Sequence, residues 1–347
     1  MGPARRATLR DIADALGLSV NTVSRALAGK SDVSQRTRML IEAEAERIGY
    51  VPNLRARSLV LGSVMTIGLA ITNPSNPFYA QLISAIELAT RAAGYSLVLG
   101  ISEESPAVES ATVDTFLRSG VDGVIAVPVQ SGEDPWARLR RAGIPGVLVN
   151  RDLPGSGWDL VGTDNELGAY LATRAALRGG ARSVVLMEED LPISTIEQRV
   201  AGFRRALTEA GHRVGDDAVV TVPTRRAAEA ALPWQADEGH LLARSLLADR
   251  DIDAVVVGND YFGLGLYRAI RERGLRIPDD VAVVGFGDYP FAGYLDPALT
   301  TVRLPAAEVG RQAVDALLRR LRDESTAPAD RRLVAPTLAE RASARPA

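Results

Sequence analysis

A chain of 347 residues, 46% hydrophobic and 24% charged, has room for two or three packed domains and the balance of an ordinary globular protein. With no cysteine it excludes a disulfide framework, a thiolate metal site and a cysteine nucleophile. The net charge of −3 conceals an asymmetry: residues 1–60 carry ten Lys and Arg against six Asp and Glu, so a basic head precedes an acidic body. No run approaches the ~18 apolar residues of a membrane span, and the first residues lack the apolar core of a signal peptide, so the expected location is the cytoplasm. Arg5 and Arg6 lie in a short basic lead suited to phosphate contact.

Leu9, Ile12, Ala13 and Leu16 recur at the spacing of one helical face. Gly17 then ends the helix, because glycine alone enters the left-handed cap without a steric cost. Ser19 can cap a second helix, whose Val23 and Leu27 turn back onto the first. Two short helices joined by a tight turn predict a helix-turn-helix, although the same pattern also suits an αα-hairpin at the edge of a larger core. Residues 28–32 read as a loop, Ser34 as the cap of a third helix, and Gly49 as its end. Pro52 discourages continuation, and Asn53 can cap one more short helix ending near Leu59. A helix of one or two turns needs a partner, DNA or a second chain, because nucleation costs more than so few bonds return. A plain linker is the competing reading.

Over residues 8–59 the chain resembles the headpiece of a LacI/GalR-type bacterial transcriptional repressor. The likeness rests on Thr8-Leu9, Asp11-Ile12-Ala13, Gly17, Ser19, Thr22 through Leu27, Val33-Ser34, Thr37-Arg38, Gly49-Tyr50, Pro52-Asn53 and Ala56 through Leu59. The resemblance implies base reading by Val20, Asn21 and Arg25. The chemistry agrees: Asn pairs bidentately with adenine, Arg with guanine, and Val meets a thymine methyl. It further implies DNA contacts at Thr8, Ser19, Thr22, Ser24, Ser34, Thr37, Asn53, Ala56 and Arg57, with Leu59 wedged into the minor groove of a pseudo-palindromic double-stranded operator.

From Val64 onward, short apolar runs alternate with amphipathic stretches. Runs at 65–71, 95–100, 123–129, 146–149, 183–187, 254–257 and 281–286 read as buried strands, with helical patterns at 79–93, 111–119, 167–177, 198–210, 239–248 and 263–273. The expected fold is an all-α helix-turn-helix headpiece followed by an α/β, periplasmic-binding-protein-like body of two doubly wound parallel-sheet lobes. The family resemblance extends to this body through Asn76-Pro77-Phe78-Tyr79, Val121-Asp122-Gly123, Asp164-Asn165, Gly202-Phe203 and Leu299-Thr300-Thr301-Val302. The expected domains are a headpiece over 1–50, a hinge over 51–61 and a body over 62–347. Within the body, the first lobe spans 62–161 and 290–325, and the second spans 162–289 and 326–342.

Ligands of doubly wound sheets bind beyond the C-terminal strand ends, which selects the candidates for effector binding. These are Phe78 and Tyr79 for stacking on a ring, Asn150 and Arg151, and Asn259; the family resemblance implies two more, Arg199 as a planar fork and Trp234 as an aromatic stacking position. Two positions depart from the family pattern. Gly287 stands where a Gly-Phe-Asp run would place an acid, so an acidic contact requires Asp288, and Asn150 stands where many members have aspartate. The expected effector is a sugar or sugar derivative, with a nucleobase or acid co-repressor as the alternative. The expected assembly is a homodimer, with a tetramer left open.

Nothing here calls for an enzyme, cofactor or metal. Gly263-Leu264-Gly265 and Gly285-Phe286-Gly287 complete no dinucleotide fingerprint, and there is no P-loop. His212 and His240, the only histidines, are expected on solvated helix faces or loops without triad or metal partners.

Overall fold

The computed structural model describes residues 7–27, 32–50, 63–223, 234–249, 251–322 and 328–346, which divide into two compact units, 1–64 and 65–347. The proposed hinge over 51–61 lies outside the described residues.

The first unit holds α1 (Leu9–Leu16), α2 (Val20–Leu27) and α3 (Gln35–Arg47). Thr8 and Asp11 form a reciprocal capping box on α1, and Gly17 closes that helix at φ 63°. Ser19 accepts from the Thr22 N–H at 3.0 Å, and Ser34 from the Thr37 N–H at 3.2 Å, so each helix start is satisfied by its own sequence. Ile12, Ala13, Val23, Ala26, Ile41 and Ala45 form the core. Leu40, by contrast, points outward, because the buried stripe of α3 runs through Ile41, Ala45 and the half-buried Ile48.

The second unit contains two six-stranded sheets. In the first lobe, β1 (Thr66–Ile71), β2 (Ser96–Ile101), β3 (Gly123–Ala126), β4 (Gly146–Val149), β5 (Asp159–Thr163) and β11 (Arg331–Val334) are all parallel, in the order β11-β5-β4-β3-β1-β2. Helices α4 (Pro77–Ala92), α5 (Pro106–Ser119), α6 (Ala137–Arg141) and α11 (Ala306–Leu321) belong to this lobe. The second lobe orders β12 (Thr337–Ala339), β10 (Thr300–Arg303), β9 (Ala282–Gly287), β8 (Ala254–Val257), β6 (Val184–Glu189) and β7 (Val219–Val222), with only the β10–β12 pair antiparallel. Its helices are α7 (Asn165–Leu177), α8 (Ser194–Glu209), α9 (Trp234–Asp249) and α10 (Asp260–Glu272). Strands such as Gly-Val-Ile-Ala of β3 and Ala-Val-Val-Val of β8 are buried at every residue, as a sheet covered on both faces requires.

The chain crosses between lobes after β5, after β10 and after β11. The first crossing agrees with the sequence reading, but the other two fall later than 289 and 325. Thr300–Arg303 pairs with β9 and so keeps 290–303 in the second lobe, whereas Arg331–Val334 pairs with β5 and belongs to the first. Strands of four residues, at least half of them polar, carry too little apolar pattern to reveal their sheet.

Helix pairs in the second lobe approach closely through glycine. At Gly202 in α8, an added Cβ would overlap the Glu166 carbonyl oxygen of α7, which is backbone and cannot rotate away. Gly202→Ala is expected to lower the unfolding free energy by at least about 2 kcal/mol in denaturant titrations; a change within error would mean that the helices part freely.

Candidate functional site

On α2 the side chains of Val20, Asn21, Ser24 and Arg25 are exposed, while Val23 and Ala26 are buried. The helix therefore offers a contiguous outer face, with Val20 apolar and 41% exposed at its start. Arg25 ion-pairs with Asp32 on the surface, an arrangement of little energetic weight that leaves the guanidinium available. Thr8, Ser19 and Ser34 are exposed caps, and Thr22 and Thr37 share their hydroxyl bonds. Helix starts of this kind, with N–H groups facing out, accept phosphate oxygens. Asn53, Ala56, Arg57 and Leu59 lie outside the described residues.

The second site is a cleft of about 320 Å³ between the lobes. It is lined by the segments following β1, β2, β4, β6, β8 and β9, the strand ends where open α/β sheets take ligands. Six of the eight sequence candidates line it: Phe78, Tyr79, Asn150, Arg151, Arg199 and Asn259. Tyr79 is buried and packs edge-on to Phe78, with ring centroids 5.5 Å apart.

Each lobe contributes one arginine, and each arginine is held by a glutamate. Arg199 donates from Nε and Nη2 to the two oxygens of Glu188, at 2.7 and 3.0 Å, and from Nη1 to Asn165 Oδ1 at 3.3 Å. Its guanidinium also covers the Phe286 ring at 5.2 Å. Arg151 forks onto Glu104 in the same manner and donates to the Pro128 carbonyl at 3.1 Å. Burial works against the charge on both arginines, but Glu188 beside Arg199, and Tyr79 together with Glu104 beside Arg151, more than compensate and raise both pKa values.

The two asparagine candidates are partly committed. Asn150 has φ 60°, and its Oδ1 accepts from the Thr163 N–H at 2.9 Å. Asn259 caps α10 through the Tyr261 N–H and donates from Nδ2 to the Tyr289 hydroxyl at 3.4 Å.

Asp288 is corrected by the structure: it does not line the cleft, because its carboxylate is held by Arg303 and Arg341, each at 2.6 Å. Tyr289 comes in its place. Gly287 sits at φ 141°, and a Cβ there would lie 2.6 Å from the Tyr289 ring, so the ring occupies the space of the missing acidic side chain. The Tyr289 hydroxyl donates to Asn76 Oδ1 at 2.8 Å, joining the second lobe to the first. A further bridge between the lobes links Gln130 with Ser194, whose N–H donates to Gln130 Oε1 at 3.0 Å. The side chain of Trp234 is not among those described, but its neighbour Gln235 is buried in the cleft wall.

Glu104, Glu188, Tyr289, Gln235 and Thr163 were missed in the sequence. Glu188 and Glu189 directly follow the apolar run at 183–187, so the strand-end rule could have found them. Gln235 and Thr163 carried no such signal. Among the described residues, Thr163 Oγ1 and Gln235 Oε1 are buried without a protein hydrogen-bond partner and line the cleft.

Behind the cleft, buried Asp260 accepts from the Thr301 hydroxyl at 2.7 Å and from the Tyr289 N–H at 2.8 Å, and so orders the loop that carries Tyr289. Burial raises its pKa from 3.8 to about 6 despite these bonds. With the folded value above the unfolded one, Asp260 contributes stability that is complete below pH ~4 and lost as pH rises through about 6. Between these limits the unfolding free energy of the wild type is expected to fall relative to Asp260→Asn by up to about 1.4 kcal/mol per pH unit. Parallel pH profiles from chemical denaturation would remove Asp260 from the account.

His240 is also corrected. It is buried on α9 with Nε2 2.8 Å from Glu272 Oε2, a structural contact to α10, whereas His212 is half-buried after α8. No helix among the described residues is long and apolar enough to cross a membrane.

Comparison with known proteins matches both parts of the chain. Residues 8–53 match the family of bacterial regulatory proteins of the lacI type, and residues 173–344 match a periplasmic binding protein-like domain. The ribose operon repressor of Escherichia coli K12 is 30% identical over 340 residues, covering 97% of this chain and 100% of the relative. The HTH-type transcriptional repressor PurR of Vibrio campbellii is 29% identical over 324 residues, covering 92% and 93%. Among solved structures, the lac repressor dimer bound to operator and the anti-inducer ONPF superposes with a TM-score of 0.83 at 25% identity, covering 98% of this chain and 99% of that one. A complex of the regulator CelR with cellobiose gives 0.72 at 28% identity, covering 97% and 100%. With a helix-turn-helix that exposes its second helix, a two-lobed body and relatives aligned along nearly its whole length, the chain belongs to the LacI family of bacterial transcriptional regulators.

Proposed function

We propose that this regulator is a cytoplasmic, non-catalytic repressor that binds a pseudo-palindromic operator as a homodimer and is switched by a sugar or sugar derivative in the interlobe cleft. The observation that carries this reading is the cleft itself. It combines stacking surfaces on Phe78, Tyr79 and Phe286 with inward polar groups from both lobes, on a chain whose other unit is a DNA-reading headpiece. The ribose and cellobiose of the named relatives and neighbours lend support. On the DNA side, Val20, Asn21 and Arg25 read bases, with Thr8, Ser19, Thr22, Ser24, Ser34, Thr37, Asn53, Ala56 and Arg57 positioning the headpiece on phosphates and sugars. Leu59, in the segment 51–61 that lies outside the described residues, enters the minor groove of the operator.

A ligand acts by differential affinity for two arrangements of the lobes, with coupling typically of ~1–3 kcal/mol. The Asn76–Tyr289 and Gln130–Ser194 bonds span these lobes, so they are among the contacts that opening must break, with the Asp152 N–H bond to the Ser194 hydroxyl a third. The test pairs a thermal-shift screen of sugars, sugar derivatives and nucleobases with operator binding in the presence of each hit. A binder raises the unfolding midpoint by mass action. A sugar that both stabilises the protein and shifts operator affinity supports the reading, whereas nucleobase hits alone would replace it with a nucleobase-responsive regulator. Leu59→Ala is expected to lose specific operator binding while keeping salt-sensitive non-specific binding; unchanged specific affinity would remove the wedge.

A further inference from the structure

Both guanidiniums of the described cleft lining are already paired. Among the described residues the lining holds Arg151 and Arg199 together with Glu103, Glu104, Glu188 and Glu189. Neither guanidinium is left facing an empty site: Arg199 is forked onto Glu188, which is only 2% exposed, and Arg151 onto Glu104. A carboxylate or phosphate entering the cleft would have to displace a buried glutamate from its arginine or accept repulsion from it. Either route opposes binding in a site that water only partly screens.

A neutral hydroxyl meets no such obstacle. Each paired guanidinium retains N–H groups beyond those bonded to its glutamate, and these can donate to a hydroxyl oxygen. The carboxylates and the buried Gln235 Oε1, which has no partner among the described residues, offer acceptors for hydroxyl or amine N–H donors. An acceptor-rich lining whose cations are already charge-paired is the reverse of an anion-binding pocket, which presents unpaired cations.

We propose that the cleft takes an uncharged or amine-bearing polyhydroxylated ligand and rejects its carboxylated and phosphorylated counterparts, with the Arg199–Glu188 and Arg151–Glu104 pairs as the discriminating elements. The inference rests on the cleft being the effector site. It narrows the effector from sugars in general to those without negative charge, and it removes acids from the field.

The experiment uses the full-length protein and ligand sets matched in stereochemistry: glucose, glucosamine and glucuronate; galactose, galactosamine and galacturonate; ribose and ribose 5-phosphate. Binding is measured by calorimetry and thermal shift for the wild type, Glu188→Gln and Glu104→Gln. Wild-type binders are expected only among the neutral and amino members, each at least about tenfold tighter than its anionic counterpart. Glu188→Gln removes the carboxylate forked onto Arg199 and leaves only the more distant Glu189 as a carboxylate acting on it, so the ratio of acid to neutral affinity should rise about tenfold or more. Should circular dichroism show that Glu188→Gln fails to fold, Glu104→Gln decides, since it frees Arg151 in the other lobe. An acid or phosphate that binds the wild type as well as its neutral counterpart overturns the inference but leaves the cleft reading standing. An unchanged ratio in a folded variant overturns the role of the pairs. Absence of any binder across all three charge classes overturns the cleft reading and the inference with it.

Discussion

Arg199→Ala is expected to abolish the effector response and, at the same time, to lower the unfolding free energy of the body by about 3–5 kcal/mol. The two effects have different origins. The destabilisation arises because Glu188, 2% exposed in β6, is left as a buried charge without its partner, and the Phe286 face loses its cation. The lost response arises because the same guanidinium lines the cleft and donates to whatever hydroxyl enters it. Adding Glu188→Leu separates the two. Replacing both partners by apolar or small groups removes the orphaned charge, so the double variant should regain most of the stability and none of the response. Denaturant titration measures the first quantity, and ligand-dependent operator release measures the second. A preserved response in either variant would take Arg199 out of the effector site.

Arg25→Ala and Asn21→Ala form the second large effect. A bidentate base contact discriminates by about 1–3 kcal/mol, and a homodimer makes it once in each half-site, so the loss in specific affinity is about 2–6 kcal/mol for the pair. The relevant operator is obtained by selection from random DNA, and affinity is read by fluorescence anisotropy at several salt concentrations. Asn21→Ala should lower specific affinity with no change in salt slope, because it removes no charge. Arg25→Ala should relax selectivity at one base position per half-site. Asp32→Ala serves as the control: its pair with Arg25 is exposed, so breaking it costs little and operator binding should hold or improve slightly. Specific affinity unchanged in both reading-helix variants would mean that another face of the headpiece reads the DNA.

Much of this architecture is legible in the order of the amino acids. The headpiece is encoded locally: Thr8 with Asp11, Ser19 with Thr22 and Ser34 with Thr37 are each three residues apart, so cap and helix start are specified together. The alternation of buried strand and helix points to two parallel-sheet lobes for a related reason, since strands covered on both faces appear as unbroken apolar runs. Six of the eight effector candidates line the cleft, five of them chosen by the strand-end rule and Arg199 by the family resemblance.

Other features depend on residues far apart in the chain. The lobe to which β10 and β11 belong is decided by pairing with β9 and β5, and four-residue strands with polar members carry no local sign of that choice. Asp288 illustrates the same limit. It stands two residues beyond Phe286 in the right loop, yet Arg303 and Arg341 claim its carboxylate, and Tyr289 fills the space that Gly287 leaves. The charge state of the cleft is tertiary as well, because it depends on which glutamate each arginine meets: one eleven residues away for Arg199, one 47 residues away for Arg151. The sequence by itself determined the helices, their caps, the two-lobed body and the arginines available to the site, because these follow from periodicity and short-range hydrogen bonding. Only the tertiary structure decided that both guanidiniums are already neutralised and that a tyrosine bridges the lobes, because side-chain pairing across a sheet or a cleft has no fixed spacing along the chain.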